Sequence, residues 1–537
     1  MKDIPHRQKP STSPARGPAC TFREASKITL NAADLEKILK KNKAEVDRKG
    51  SCRLVLGRKD HSITRKDIPP QAIAVLEGLR RAGYQAYLVG GCIRDLLTGK
   101  KPKDFDVSTN ATPEQVRRVF QNSRIIGRRF KICHVVFGRE IIEVTTFRSN
   151  QEPKHESFKH QTSGTGMLVR DNIYGRTAEE DAARRDFTIN AIYYDLKTSE
   201  LIDYHAGLYD LRRGVIDMIG DPEKRYLEDP VRMIRALRFA AKLGFTISKR
   251  TSDPIRNMEH LLLQVSNARM FEEVNKLFLT GHGLQSYRIL RKYGMFEILF
   301  TGLEQFLDNP SFDAFVEYAL QSSDERCRDQ KRNMPHFLYA VILWPKFQAE
   351  VSRLMALNET MAAPASVREL ADLACPTVLK EQNSVTAIPM GIAESIRSMW
   401  SLQLQFLNIT DPDEVAAIAS KQLFRGGFDI FRLRARFEPY LAPYVEFWEP
   451  YYERSAKTAS ERRQMLAQKD SRREQQEQQQ QRAEAPVERP AVPERAPRPA
   501  PQPATGSNEV FTDDSDAERQ DRLARARAWR ASMHLDP

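Results

Sequence analysis

Asp104-Phe105-Asp106-Val107 sets two carboxylates two positions apart. In a strand, Asp104 and Asp106 share one face, while Phe105 and Val107 take the core face. Two negative charges held side by side on a rigid strand repel each other. A divalent cation relieves that repulsion, and Mg²⁺ accepts oxygen ligands of this kind while keeping positions open for phosphates. Upstream, Gly90-Gly91 leads into Cys92 to Leu97. Glycines let a backbone approach a ligand closely, and a helix opening after them aims free N–H groups at an anion. A GG pair alone is usually a turn, and a DxD alone is usually a solvated strand face. Their combination, with Arg94 between them, points to a metal-assisted reaction of a phosphate-bearing ligand.

The surrounding stretches must position these groups. Tyr87-Leu88-Val89 suits a buried strand, and Ile68 to Ala82 has helical spacing stopped by Gly83. In the segment after the glycines, Ile93, Leu96 and Leu97 fall on one side, and Arg94 and Asp95 on the other. Thr112, Pro113 and Gln115 form a capping box that starts a helix ending near Phe120. Ile125 to Gly138 and Ile141 to Phe147 read as strands. In the second, Glu143 and Thr145 alternate with apolar residues, so Glu143 is either a third acidic group at the site or an ordinary polar face residue. Glu179 to Tyr194 has helical spacing with Ala182, Ala183 and Phe187 inward. Arg225 to Leu243 reads as one long helix, with Met233, Ile234, Leu237 and Ala240 inward. Asp229, Arg232, Arg235 and Arg238 lie three apart and form a stripe. A carboxylate only accepts and a guanidinium only donates. Asp229 with Arg232 therefore matches an exocyclic amino group beside a ring nitrogen. Adenine and cytosine offer that pattern; guanine and uracil present the reverse.

The order GG…RD…DxD resembles the head of the polymerase-β-like nucleotidyltransferases. More narrowly it is similar to the branch that holds CCA-adding enzymes and bacterial poly(A) polymerases. Arg184 to Asn190 (RRDFTxN) and Glu228 to Phe239 (EDPxRxxRxxRF) resemble two further motifs of that branch. Gly127-Arg128-Arg129-Phe130 and His134 resemble its poly(A) members. The resemblance covers roughly Ile63 to Tyr452. It implies an α+β chain: a head of small mixed sheet plus helices, then an all-α neck, body and tail. It implies that Asp104 and Asp106, with Asp186 or Glu143, are catalytic and hold two Mg²⁺. It further implies nucleotide contacts from Gly90, Gly91, Arg94, Asp95, Arg185 and Asn190, and a base-reading helix carrying Asp229, Arg232, Arg235 and Arg238. The expected reaction is addition of AMP from ATP to RNA 3′ ends, with CCA addition to tRNA as the alternative. Expected partners are RNA, RNA-decay machinery and an Sm-like RNA chaperone, with a peripheral membrane association also implied.

The chain has 537 residues and carries 84 Lys+Arg against 71 Asp+Glu, for a formal net charge of +13. That balance favours a polyanionic partner such as nucleic acid. No apolar run approaches a membrane-spanning helix, and no secretory signal is evident. Six scattered cysteines without a CxxC pair suggest neither zinc nor a disulfide framework and fit a reducing cytoplasm. The expected organisation is a mobile basic segment 1–62, a head 63–200, a neck 201–266, an all-α RNA-binding body 267–454 and a disordered tail 455–537. Gln151 to Asn172 reads as a long loop, either a lid or disordered. Arg288, Arg291, Lys292, Arg432, Arg434 and Arg436 are candidate RNA backbone contacts, and a monomer is expected.

Overall fold

Alternation along Ala86–Val89 sends Leu88 into the main core and Val89 into a smaller core on the opposite face. A strand buried on both faces belongs at the centre of a sheet, and there it lies. The computed structural model describes residues 32–127, 131–149, 174–359 and 365–455. All belong to the first of two units, which ends at Ser460. The loop 151–172, the Arg128-Arg129-Phe130 stretch, residues 1–31 and the tail from 456 lie outside the described residues.

The head is an eight-stranded mixed sheet. Its strands are β1 (Leu54–Leu56), β2 (Ala86–Val89), β3 (Asp106–Thr109), β4 (Ser123–Ile126), β5 (Ile132–Phe137), β6 (Glu140–Thr146), β7 (Ile192–Asp195) and β8 (Glu200–Asp203). They run in the order β1-β8-β7-β2-β3-β6-β5-β4, with β3 and β6 parallel and the other neighbours antiparallel. The Pro70–Arg81 helix buries Ala72, Val75, Leu76 and Leu79 in the main core. The capping box at Thr112 forms as the sequence predicts: Gln115 N donates to Thr112 Oγ1 at 3.3 Å, and Thr112 N donates to Gln115 Oε1 at 2.8 Å.

Four expectations need correction. The segment 1–62 was expected to be mostly mobile, with at most a short helix carrying Leu35, Ile38 and Leu39 on one face, yet Ala32–Lys49 is an 18-residue helix and β1 pairs with β8. Leu35 and Leu39, one turn apart, are buried in the main core, and Arg212 reaches Glu36 at 3.3 Å. The expected head boundary at 200 cuts through β8, which the sheet owns. Glu179 to Tyr194 is not one helix. It is Ala178–Arg184, a bend at Arg185-Asp186, an extended Phe187, a single 3₁₀ turn and then β7. Asp186 Oδ1 accepts from Phe187 N at 2.8 Å, a local bond that competes with the helix. Arg225 caps the freed carbonyls of Arg184 and Arg185 at 2.8 and 2.6 Å. Finally, Arg225 to Leu243 breaks into Pro222–Glu228 and Val231–Leu243. Pro230 pushes Asp229 out of the helical region, to φ −154° and ψ 95°.

Gly207 shows how tightly the head and neck pack. A Cβ there would lie 2.2 Å from the backbone oxygen of Thr188. Gly207→Ala is expected to cost at least ~1–3 kcal/mol, the range for overpacking, read as a lower urea midpoint at unchanged slope.

Beyond Asn267 the described chain is helical, as its periodicity predicts. The last segments form a separate aromatic core around Phe406, Phe424, Phe428, Phe431 and Trp448. Among the described residues no helix is long and apolar enough to cross a membrane.

Candidate active site

The two carboxylates differ in setting. Asp106 opens β3 and is half-buried; Asp104 precedes the strand and is exposed. The expectation that both sit on one regular strand therefore holds for Asp106 alone. Val107 pairs with Val144 in the parallel register, which puts Asp106 beside Glu143. Glu143 faces His134 on β5, with 3.5 Å between Oε1 and Nε2. Burial, then the Glu143 charge, push the Asp106 carboxyl up to about 6; Arg185 opposes the shift and Asp104 adds to it. Asp104 and Glu143 thus both repel the Asp106 carboxylate.

Gly90 adopts φ 84° and ψ −138°, a conformation open to glycine but not to L-residues without strain. A Cβ at this position would be 3.7 Å from both Arg185 Nη1 and Asp106 Oδ2, so Gly90 lies between those two groups. Gly91–Leu97 is the short helix that follows. Arg94 does not lie on an exposed face of it. Its side chain is 3 % exposed and donates to Asp95 Oδ1 at 2.7 Å and to Asn190 Oδ1 at 2.7 Å. The helix is covered on both sides, so the predicted polar side is also interior.

Asp186, the other candidate for third carboxylate, is bonded to the arginine-striped helix. Arg235 Nε donates to it at 2.9 Å, and Asn190 Nδ2 at 3.2 Å. Burial raises its pKa, but the charge and hydrogen bonds of Arg235, with Phe187 N and Asn190, outweigh burial and hold the carboxyl well below the usual range. Asp95, Arg94, Asn190, Asp186 and Arg235 therefore form one polar chain from the Gly-Gly helix to the arginine-striped helix. Arg185 is held by Asp181 at 3.1 Å and by Tyr193 at 3.0 Å. Asp181 also receives Ser108 at 3.0 Å and Tyr193 at 2.8 Å.

Beside this group is a cavity of about 290 Å³. Six arginines line it (Arg148, Arg184, Arg185, Arg232, Arg235 and Arg269) against Asp181, Asp186 and Asp229, so it suits an anion. Arg269 holds Asp229 in a bidentate pair, 2.8 Å at each oxygen. Asp229 Oδ1 also accepts from Val231 N at 3.3 Å. A carboxylate has about four acceptor sites, so Oδ2 keeps one for a ligand. Arg232 uses Nη1 on Glu228 at 3.0 Å and on the Arg225 carbonyl at 2.9 Å, leaving its Nη2 edge for donation. Arg238 turns away from this cavity toward Glu273, 3.6 Å from it, and stacks on Phe239.

Sequence reasoning missed Arg148, Arg269 and Asp181. Arg269 lies 40 positions from the carboxylate it orients, and no local pattern reports such a pair. Among the candidate RNA contacts, Arg288 pairs with Glu317, Arg291 with Asp313, and Arg434 is buried against Glu438 and Gln403. Arg432 and Arg436 remain exposed.

Among the described residues no three His, Cys, Asp or Glu side chains form a ready-made metal cage. Mg²⁺ does not need one: it binds through one or two carboxylates and completes its shell with water and phosphates. The repulsion stored around Asp106 is what a cation there would relieve, so the residues fit the ion.

A mixed sheet presenting an acidic group next to an arginine-lined cavity defines a nucleotidyltransferase head. Residues 86–217 match the model of the poly A polymerase head domain. Residues 244–307 match that of a probable RNA and SrmB-binding site of polymerase A, and 366–486 that of the polymerase A arginine-rich C-terminus. The chain is 42% identical over 415 residues to poly(A) polymerase I of Haemophilus influenzae, covering 76% of this chain and 89% of that one. It is 37% identical over 223 residues to the CCA-adding enzyme of Lactobacillus helveticus, covering 42% of this chain and 53% of that one. The structure of the Bacillus stearothermophilus CCA-adding enzyme in complex with CTP aligns with a TM-score of 0.46 at 25% identity, covering 72% of this chain and 83% of that one. The chain belongs to the poly(A) polymerase I family and is a polynucleotide adenylyltransferase.

Proposed function

We propose that this enzyme extends RNA 3′ ends with AMP from ATP, without a template, and that the resulting tails promote RNA decay. The observation that carries the reading is the juxtaposition at one end of the sheet: a repelling carboxylate group beside an arginine-lined cavity that still offers one acceptor and one donor edge. The 3′-oxygen forms a bond to the α-phosphorus, the α–β anhydride bond breaks, pyrophosphate leaves and the hydroxyl proton is lost. Asp104, Asp106 and Glu143 would hold two Mg²⁺, which when bound lower the pKa of the 3′-hydroxyl and stabilise charge on the leaving pyrophosphate. The Gly90 backbone leaves room for the triphosphate, and the cavity arginines neutralise it. Asp186 acts indirectly, by fixing Arg235 and Asn190. Asp229, steadied by Arg269, accepts from the adenine amino group, and Arg232 donates to the ring nitrogen.

Cytosine offers the same two atoms, and the likeness to a CCA-adding enzyme over 223 residues keeps that activity as the second reading. Each nucleoside triphosphate supplied singly, with generic RNA and with tRNA lacking its 3′ end, separates the two. Long tails from ATP alone on generic RNA are expected. C followed by A, on tRNA only, would establish the second reading instead. In the same assay Asp229→Ala should narrow the preference for ATP over GTP by ~10–100-fold, the equivalent of one bidentate base contact at about 1–3 kcal/mol. Decay machinery and an Sm-like RNA chaperone in the cytoplasm are the partners this reading implies.

A further inference from the structure

The Phe424–Ala435 helix carries a second, unrelated arginine strip, exposed at Arg432 and Arg436 and half-buried at Arg425. Arg425, Asp429, Arg432 and Arg436, the last just past the helix end, follow one another at four, three and four positions, so they share one side. Over that span the strip is ~16 Å long at 1.5 Å per residue. Aromatic rings flank it on both sides. From the Pro310–Arg328 helix comes Tyr318, 36% exposed, with the Arg436 guanidinium stacked 4.0 Å from its ring centre. From helix 442–455 comes Tyr452, with Arg425 at 4.1 Å and Arg432 at 5.4 Å from its ring. Phe437 is 38% exposed next to Phe315.

Positive charge is in excess along the strip. Asp429 accepts from the Tyr452 hydroxyl at 2.7 Å and feels Arg326, Arg425 and Arg432 together. Arg432 has Glu449 at 3.6 Å. Among the described residues, Arg436 has no carboxylate in salt-bridge range, and it lies over the Tyr318 ring. A solvent-facing guanidinium lying 4.0 Å over an aromatic ring leaves its other side open to a planar base and its edge open to a phosphate.

We infer that Tyr318, Arg432, Arg436 and Tyr452 form a stacking platform for single-stranded RNA, holding the strand upstream of the 3′ end being extended. Aromatic rings beside two exposed arginines, Arg432 opposed only by Glu449 at 3.6 Å and Arg436 by no carboxylate among the described residues, bind bases without sequence choice, since every base has a π-face. An acidic protein segment would use the charge but not the paired flat faces. The inference rests on the RNA-extending reading above for the strand's direction, but not for its binding.

The test measures binding of a fluorescently labelled oligo(A) to the full-length protein, without nucleotide, across a salt series. Tyr318→Ala combined with Arg436→Gln should raise Kd about tenfold and flatten the salt dependence by about one phosphate contact. In tailing assays KM for RNA should rise in step, with kcat at saturating RNA and KM for ATP unchanged. Tyr318→Phe, which keeps the ring, should bind as wild type. Arg436→Gln alone, an exposed change, guards against misfolding and should reproduce part of the loss. Wild-type RNA affinity in the folded double variant would overturn the platform and leave this face to a protein partner. Because Kd is read without ATP, failure of the adenylation reading would not be mistaken for failure of this one.

Discussion

Asp106→Asn should lower AMP incorporation by about three orders of magnitude while RNA affinity stays within about twofold, since metal-held charge stabilisation is worth several kcal/mol and each 1.36 kcal/mol is tenfold. Asparagine keeps the size and one acceptor oxygen but removes the charge. Asp106 is the member of the acidic group most enclosed by the others: burial and Glu143 push its carboxyl up to about 6. The same observation predicts an opposite effect on stability. The wild type holds a reluctant carboxylate next to Asp104 and Glu143, so Asp106→Asn should raise the thermal midpoint measured without divalent cations, as loss of a strained functional group commonly does. Asp104→Ala should also abolish incorporation with RNA binding largely intact. Extension of a labelled RNA by either variant at a substantial fraction of the wild-type rate would refute the assignment.

Arg235→Ala should be the most destabilising single change near the site, at about 3–5 kcal/mol, because it strands a buried charge. Asp186 would keep Asn190 and Phe187 N as donors but lose the guanidinium that outweighs its burial. The double variant Asp186→Asn, Arg235→Ala should recover much of the loss, since no isolated charge remains. The pH dependence follows from the direction of the shift. The folded-state pKa of Asp186 lies below its unfolded value, so the pair's contribution is fully present above the ordinary carboxylate pKa of about 3.9. It is lost as pH falls below that value toward the folded-state pKa. The stability difference between wild type and Arg235→Ala, from urea titrations, should therefore be constant near neutrality and shrink in strong acid. A difference that grows with acidity would contradict the pairing.

Much of the head could be read from the chain directly, where the signal is local. The capping box at Thr112, the strand before Gly90 and the Gly-Gly turn itself depend on a few adjacent residues, and they form as expected. Elements interrupted by long-range demands were read too simply. Glu179 to Tyr194 keeps helical spacing, yet Asp186 must reach Arg235 and β7 must pair with β2 and β8, so the helix ends early. Arg225 to Leu243 keeps the spacing as well, but Pro230 breaks it, and the break turns Asp229 toward Arg269.

Residue types at short spacing were enough to indicate the chemistry: two acids near glycines, and an acid near a guanidinium, with complementary proton inventories. Which acid joins Asp106 was open between Asp186 and Glu143. That choice depends on strand register and on which guanidinium lies nearest, and both are set by groups distant in sequence. The parallel β3–β6 register puts Glu143 beside Asp106, and Arg235, 49 positions from Asp186, pairs with the other acid, which is the geometry behind the proposal of Glu143 as the third ligand. Arg94, Arg434 and Arg269 teach the same point: a guanidinium's role follows from the partner packing brings to it, and only the folded chain supplies that partner.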